Sequence, residues 1–230
     1  MPRHGTFITF EGLDGTGKST QLRKLAVVLR AAGHKVVETR EPGGTVTGEK
    51  IRRVLLDSKT EGLSPMAEMA LMFASRAQHI AEVILPALER GQVVLCDRFT
   101  DSTEAYQGYG RKLGSEAVLE LHRVLCGGLQ PDLTILLDSD PAKSLGKARR
   151  RNQQAPHRTG KDGSRHHADE NRFEQQSGVF FNRVYEGYRA IAHRDAQRVV
   201  AVDASGSPSQ THRKIAELTG RKLKLAIGDS

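Results

Sequence analysis

The chain has 230 residues, 37% hydrophobic and 5% aromatic, which suits one large domain with a sizeable core. A net charge of +8 favours anionic partners (nucleic acid, anionic membrane or phosphorylated small molecules) without choosing among them. Two cysteines, Cys96 and Cys126, exclude a disulfide framework and fit a reducing, cytoplasmic setting; neither a signal peptide nor a membrane-spanning run is expected.

In chain order, TFITFE (6–11) comes first, a continuous apolar run of the kind buried on both faces of a parallel sheet. It leads into EGLDGTGKST, which holds G-x-x-x-x-G-K-S as Gly12, Gly17, Lys18 and Ser19. Glycines let backbone amides turn inward around phosphate oxygens, and the next helix points its positive end at the same anion. Lys18 suits the β- and γ-phosphates and the Ser19 hydroxyl suits Mg²⁺; Leu13, Asp14, Gly15, Thr16 and Thr20 complete an ATP-binding loop. A glycine-rich turn matching by chance would lack this strand–loop–helix setting.

The helix STQLRKLAVVLRAAG ends at Gly33, and KVVETR (35–40) is the second strand. Arg40 stands at its end, before a rigid Pro-Gly-Gly turn. Ser64-Pro65 opens the third helix, whose apolar stripe includes Met69, Phe73 and Ile80. Phe73 and Arg76 lie three apart and face one way. That spacing fits a core Phe with a solvated Arg, or a ring and donor that read a nucleobase. Pro86 predicts a bend or break in the helix around it.

VVLC (93–96) is the third strand, followed by Asp97 and Arg98. Asp97 fits a Mg²⁺ ligand or an ordinary cap, and Asp138, after the strand LTILLD (133–138), has the same pattern. Ligands of parallel α/β sheets bind outside the carboxyl ends of the strands. Arg40 and Arg98 at two such ends suit a phosphate. Asp140-Pro141 and Ser207-Pro208 start later helices, with VVAVD (199–203) as the fifth strand. The alternation predicts an α/β fold.

In this order and spacing, FEGLDGTGKST, TREPGGT, LMFASRAQH, DRFTDSTEAYQG and NRFEQQ resemble the bacterial thymidylate kinases, a branch of the nucleoside monophosphate kinases. The resemblance runs from residue 6 to about the last helix. It implies one P-loop kinase domain over 1–230, with three layers: a five-stranded parallel sheet flanked by helices, plus a mobile lid at about 149–174. It also implies phosphorylation of dTMP to dTDP by Mg-ATP, through direct transfer, in a homodimer packed through helices. Phe73 would stack on thymine and Arg76 read its edge. Arg40 and Arg98 would hold the 5′-monophosphate, Asp14 the sugar 3′-hydroxyl. Ser102 and Thr103 would contact the base, and Tyr106 would pack beneath the deoxyribose. Phe99 and Asn171 depart from the family pattern, which has Tyr or His at the first place and Asp at the second.

Residues 149–174 carry seven Lys or Arg against four acidic residues, with 153–169 reading as a solvated insertion. No aromatic residue interleaves the basic run, so nucleic-acid binding is not expected. Asp14, Gly15 and Thr16 place no arginine in the loop. The resemblance therefore implies that the lid supplies it, through Arg149, Arg151 and Arg172, acting with Lys18 and Arg98. A deoxynucleoside kinase would need a carboxylate base for a neutral hydroxyl, and two phosphate-binding arginines argue against it. A P-loop switch or motor would have no acceptor pocket.

Overall fold

The computed structural model describes residues 5–57, 60, 62–154 and 172–227. Its strands are β1 (Thr6–Glu11), β2 (Val36–Arg40), β3 (Val93–Asp97), β4 (Leu133–Asp138) and β5 (Val199–Asp203). They form one sheet of order β2-β3-β1-β4-β5, parallel throughout. The predicted strands are all present, with β2 starting one residue later and β3 ending one residue later than the apolar runs suggest.

Both faces of the sheet are apolar because successive β1 side chains point opposite ways. Ile8 and Phe10 pack beneath α1 (Lys18–Ala31) and α9 (Pro208–Leu223), through Leu25, Leu29, Ile215 and Leu218. Phe7 faces the other layer, with Met69 and Phe73 of α3 (Pro65–His79), Leu88 of α4 (Leu85–Glu89) and Val118 of α6 (Ser115–Leu125). Beside them, α8 (Gly178–Arg194) sets Phe180, Phe181 and Val184 against Leu136 of β4. The remaining helices are α2 (Val46–Leu56), α5 (Thr100–Thr103) and α7 (Pro141–Gln154). Among the described residues, no helix is long and apolar enough to cross a membrane.

Local chemistry sets the helix starts. Ser64 and Ser207 accept the amides of Ala67 and Gln210, with Pro in each first turn, and Asp140 Oδ1 accepts the Lys143 amide at 2.9 Å. The break expected at Pro86 takes the form of a π-helical turn, Ile80–Ile84, after which α4 continues with the proline in its first turn. A second π-helical turn, Glu104–Gly110, extends α5.

Register brings the functional strand ends together. Phe10 and Arg40 both pair with Asp97, so the loop after β1, Arg98 after β3 and Glu41 after β2 share one rim.

The layer holding α8 depends on close approach. A Cβ at Gly187 would lie 2.8 Å from Cγ of Tyr109, near that residue's backbone, where little can yield. Gly187→Ala is expected to lower unfolding stability by about 1–3 kcal/mol in urea denaturation. An unchanged midpoint would contradict this packing.

Candidate active site

The loop after β1 wraps on itself. Gly12 takes φ 130, and a Cβ there would lie 2.6 Å from the Leu137 carbonyl oxygen, so only glycine fits. Gly17 caps α1 without a side-chain hydrogen bond, which leaves the positive helix end facing the loop mouth. Lys18 is 6% exposed and its Nζ donates to the carbonyls of Gly12 (3.0 Å) and Leu13 (2.8 Å). Burial, helped by the nearby Arg98 charge, lowers its pKa to about 8.

Ser19 Oγ donates to Asp97 Oδ2 at 2.5 Å. Two oxygen donors thus meet at the mouth of the loop, a set that suits a hard cation such as Mg²⁺. The rival Asp138 lies on the far side of Gly12 and is hydrogen-bonded to Tyr185. A second group of possible ligands, Glu41, His79 and Cys96, is buried. There Glu41 is already engaged by Arg76 (2.7 Å) and His79 (2.9 Å), so this cluster is a positioning network.

Arg98 joins the loop to a neighbouring cavity. Its backbone sits at φ 72, unusual for a residue with a side chain. Nη1 donates to Gly12 O (3.1 Å), Ser102 Oγ (3.0 Å) and Tyr188 Oη (3.1 Å), and Nη2 to Asp14 Oδ1 (2.6 Å). The guanidinium also lies 5.0 Å from the Tyr106 ring centroid. Burial alone would raise the Asp14 pKa, but the Arg98 and Lys18 charges outweigh it and hold the carboxyl well below its usual range.

The cavity is walled by Asp14, Arg98, Ser102, Thr103 and Tyr106 at the loop end and by Arg76, Glu41, Pro42 and Arg52 further in. Arg76 is 2% exposed. Its Nε donates to Glu41 Oε2, and its Nη2 donates to Thr103 Oγ1 (2.9 Å) and Phe99 O (3.2 Å). Its Nη1 has no hydrogen-bond partner among the described residues. Burial pushes the Glu41 pKa up, yet Arg76 and His79 hold it below the usual value. His79 Nδ1 faces Glu41 while Nε2 meets Thr39 Oγ1 at 2.6 Å, so the network reaches back into β2.

Three expected residues stand elsewhere than the motifs suggest. Phe73 is fully buried, absent from the cavity wall, and carries the Arg76 guanidinium 4.9 Å from its ring centroid. Arg40 lies on the shared rim but turns outward to Glu49 (3.1 Å), while Arg52 lines the cavity. Arg172 donates Nη2 to Glu68 (2.7 Å) and Nε to the Leu55 carbonyl (2.6 Å). Arg149 and Arg151 fall on α7, but their side chains, together with 155–171 and so Asn171, lie outside the described residues. Glu41, Arg52 and Gln107 escaped the sequence reading; Glu41 had a signal, since it directly follows a strand end.

The thymidylate kinase family model matches residues 10–215. The chain belongs to the thymidylate kinase family. It is 46% identical over 217 residues to a thymidylate kinase of Solidesulfovibrio magneticus, covering 94% of this chain and 100% of that protein. It is 50% identical over 202 residues to one from Desulfovibrio desulfuricans, covering 88% and 89% of the two chains. The crystal structure of the Ehrlichia chaffeensis thymidylate kinase superposes with a TM-score of 0.70 at 30% identity, over 93% of this chain and 98% of that one. Membership makes the chain a phosphotransferase, with the expected five-stranded α/β fold.

Behind Arg98 this thymidylate kinase fold buries Glu11, which accepts from the Phe99 amide (2.7 Å), Ser102 Oγ (2.5 Å) and Tyr188 Oη (3.1 Å). Burial, reinforced by the Asp101 charge, pushes its pKa up to about 7. A carboxyl whose pKa is raised on folding stabilises the protein below its unfolded value of 4.5, and that contribution is lost as pH rises through about 7. Glu11→Gln is therefore expected to gain stability relative to wild type as pH goes from about 5 to 8. Thermal melts across that range check it, and a constant difference would refute the assignment.

Proposed function

We propose that the cavity holds dTMP, that the loop holds Mg-ATP, and that the terminal phosphoryl group passes directly between them to give dTDP for DNA precursor supply. The observation that carries this reading is Arg76, a buried charged residue of the cavity wall whose Nη1 has no hydrogen-bond partner among the described residues. Such a donor calls for a ligand acceptor. Thymine offers a carbonyl oxygen at the ring position where cytosine carries an amino group, so Arg76 would favour the first and reject the second.

In this reading the 5′-phosphate lies against Arg98, the sugar hydroxyl donates to Asp14, Tyr106 packs against the deoxyribose, and Ser102 and Thr103 border the nucleotide. Because Phe73 braces Arg76 from behind, its contribution to the base is indirect. Arg40 would join the phosphate by exchanging Glu49 for it. Ser19 and Asp97 would hold Mg²⁺, which when bound neutralises charge on the phosphates. No general base is required, since a phosphate monoester with a second pKa near 6 is already ionised at neutral pH. Lys18 and Arg98 then supply positioning and charge, with Arg149 and Arg151 proposed to add theirs from the lid.

The reading extends to a cytoplasmic homodimer that binds neither nucleic acid nor membrane. Exposed apolar side chains on three helices, Val46 and Val54 of α2, Met66 of α3, and Leu119 and Val124 of α6, support an interface there.

A panel of nucleosides and nucleoside monophosphates with Mg-ATP tests the assignment. Turnover with dTMP is expected far above that with dCMP, dGMP or thymidine. Arg76→Lys cannot keep the same donor fork, and it is expected to raise KM for dTMP by about 10–100-fold while narrowing the margin over dCMP. Equal phosphorylation of thymidine, or nucleotide hydrolysis indifferent to any acceptor, would defeat the proposal.

A further inference from the structure

Beneath the inner wall of the cavity, one buried carboxylate gathers three side chains from distant parts of the chain. Glu68, in the first turn of α3, is 1% exposed. Gln107 Nε2 donates to its Oε1 at 2.8 Å. Arg111 donates Nε to Oε1 (3.1 Å) and Nη2 to Oε2 (3.0 Å), and Arg172 donates Nη2 to Oε2 (2.7 Å). Both arginines also hold the segment after 171. The Arg172 amide donates to Leu56 O (3.3 Å) and its Nε to Leu55 O, while Arg111 Nη1 donates to Gln176 Oε1 (2.8 Å).

The held segment reaches the cavity. Phe173 and Glu174 both form part of its wall. The Phe173 ring stands edge-on to Tyr106, with centroids 5.7 Å apart, and the Arg172 guanidinium covers it at 4.8 Å. Glu68 is thus linked to the acceptor wall on two sides, through Gln107 and through Arg172 to Phe173.

We propose that Glu68 is a positioning residue for the acceptor, and that Arg172 belongs to this latch and does not contact the transferred phosphoryl group. The carboxylate fixes Arg172, Arg172 seats Phe173, and Phe173 fixes the tilt of Tyr106 under the sugar. Two arginines converging on one carboxylate explain why neither turns toward solvent. A neutral Glu68 would remove the counter-charge that both arginines share. The inference rests on the assignment of the cavity to dTMP.

Steady-state kinetics of the full chain separate the two roles of Arg172. Arg172→Gln and Glu68→Gln are each expected to raise KM for dTMP about tenfold, with kcat and KM for ATP within roughly threefold of wild type. The double variant should be no worse than the poorer single one, because both act on one unit. A fall in kcat of about 10³ for Arg172→Gln with KM for dTMP unchanged is the signature of a lost phosphoryl contact and would overturn the proposal. Phe173→Leu leaves every ion pair intact and provides the test should Glu68→Gln fail to fold. It should likewise raise KM for dTMP while its melting temperature stays within about 2 °C of wild type, and an unchanged KM overturns the proposal. If Arg76→Lys behaves as expected while these variants bind dTMP normally, the latch alone is wrong.

Discussion

The placement of one guanidinium, that of Arg98, governs the geometry of the whole site. The Arg98 amide donates to Phe10 O at 2.9 Å, which ties β3 to β1 at the point where the phosphate loop begins. The left-handed backbone then swings the side chain across β1, where it reaches Gly12 and Asp14 of the loop as well as Ser102 and Tyr188 of the cavity wall. A strained conformation at a non-glycine residue persists only when its surroundings over-determine it, and here five groups do so. Arg98 also sets the ionisation of its neighbours, pulling Asp14 down and adding to the burial that lowers Lys18.

The same device recurs around the cavity. Arg76 is oriented by Glu41, Arg111 and Arg172 by Glu68, and Arg98 shares Ser102 and Tyr188 with Glu11. Glu41 and Glu68 each fix one edge of the guanidinium forks they meet, while Arg98 is held at Nη2 by the part-exposed Asp14. For Arg76 this leaves Nη1 without a partner among the described residues, on a side chain that lines the cavity. Glu11, Glu41 and Glu68 are buried to between 0% and 4% exposure, so their interactions are little screened by solvent. A buried pair adds little net stability, but removing one partner is costly. The network is better understood as fixing geometry than as holding the fold together.

What was legible in the sequence follows the range of the forces involved. The strands, the capped helix starts and the phosphate loop are local patterns, written in runs of five to fifteen residues, and they appear where the pattern places them. The shared rim was legible too, because parallel sheets put their ligands at strand ends whatever the side chains. Side-chain direction was not. Spacing put Phe73 and Arg76 on one face of α3, yet could not say which would stand in front; packing against Phe7 and Phe99 drew the ring inward and left the guanidinium at the wall. Asp97 and Asp138 are equivalent in sequence and were separated by sheet order, which sets Asp97 beside Ser19 and Asp138 beside Tyr185. Glu68 gave no signal, because its partners lie 39, 43 and 104 residues away.

The charges around the loop also explain how one rim can discriminate two ends of a nucleotide. Lys18 gives its protons to two neutral carbonyls, and a phosphate oxygen offers a stronger, charge-assisted bond, so exchanging one for the other favours the anion. Asp14 works in the opposite sense. Held ionised by Arg98 and Lys18, it can only accept hydrogen bonds, so it repels phosphate and welcomes a hydroxyl. Two groups within 2.6 Å of each other thus present a donor fork and an acceptor side by side. Under the proposed assignment, that opposition orients dTMP with its phosphate toward the loop and its sugar hydroxyl on Asp14. The reverse pose would set a phosphate against a carboxylate. Orientation then comes from charges that the fold already holds in place, with little reorganisation beyond the exchanges of partner at Lys18 and Arg40.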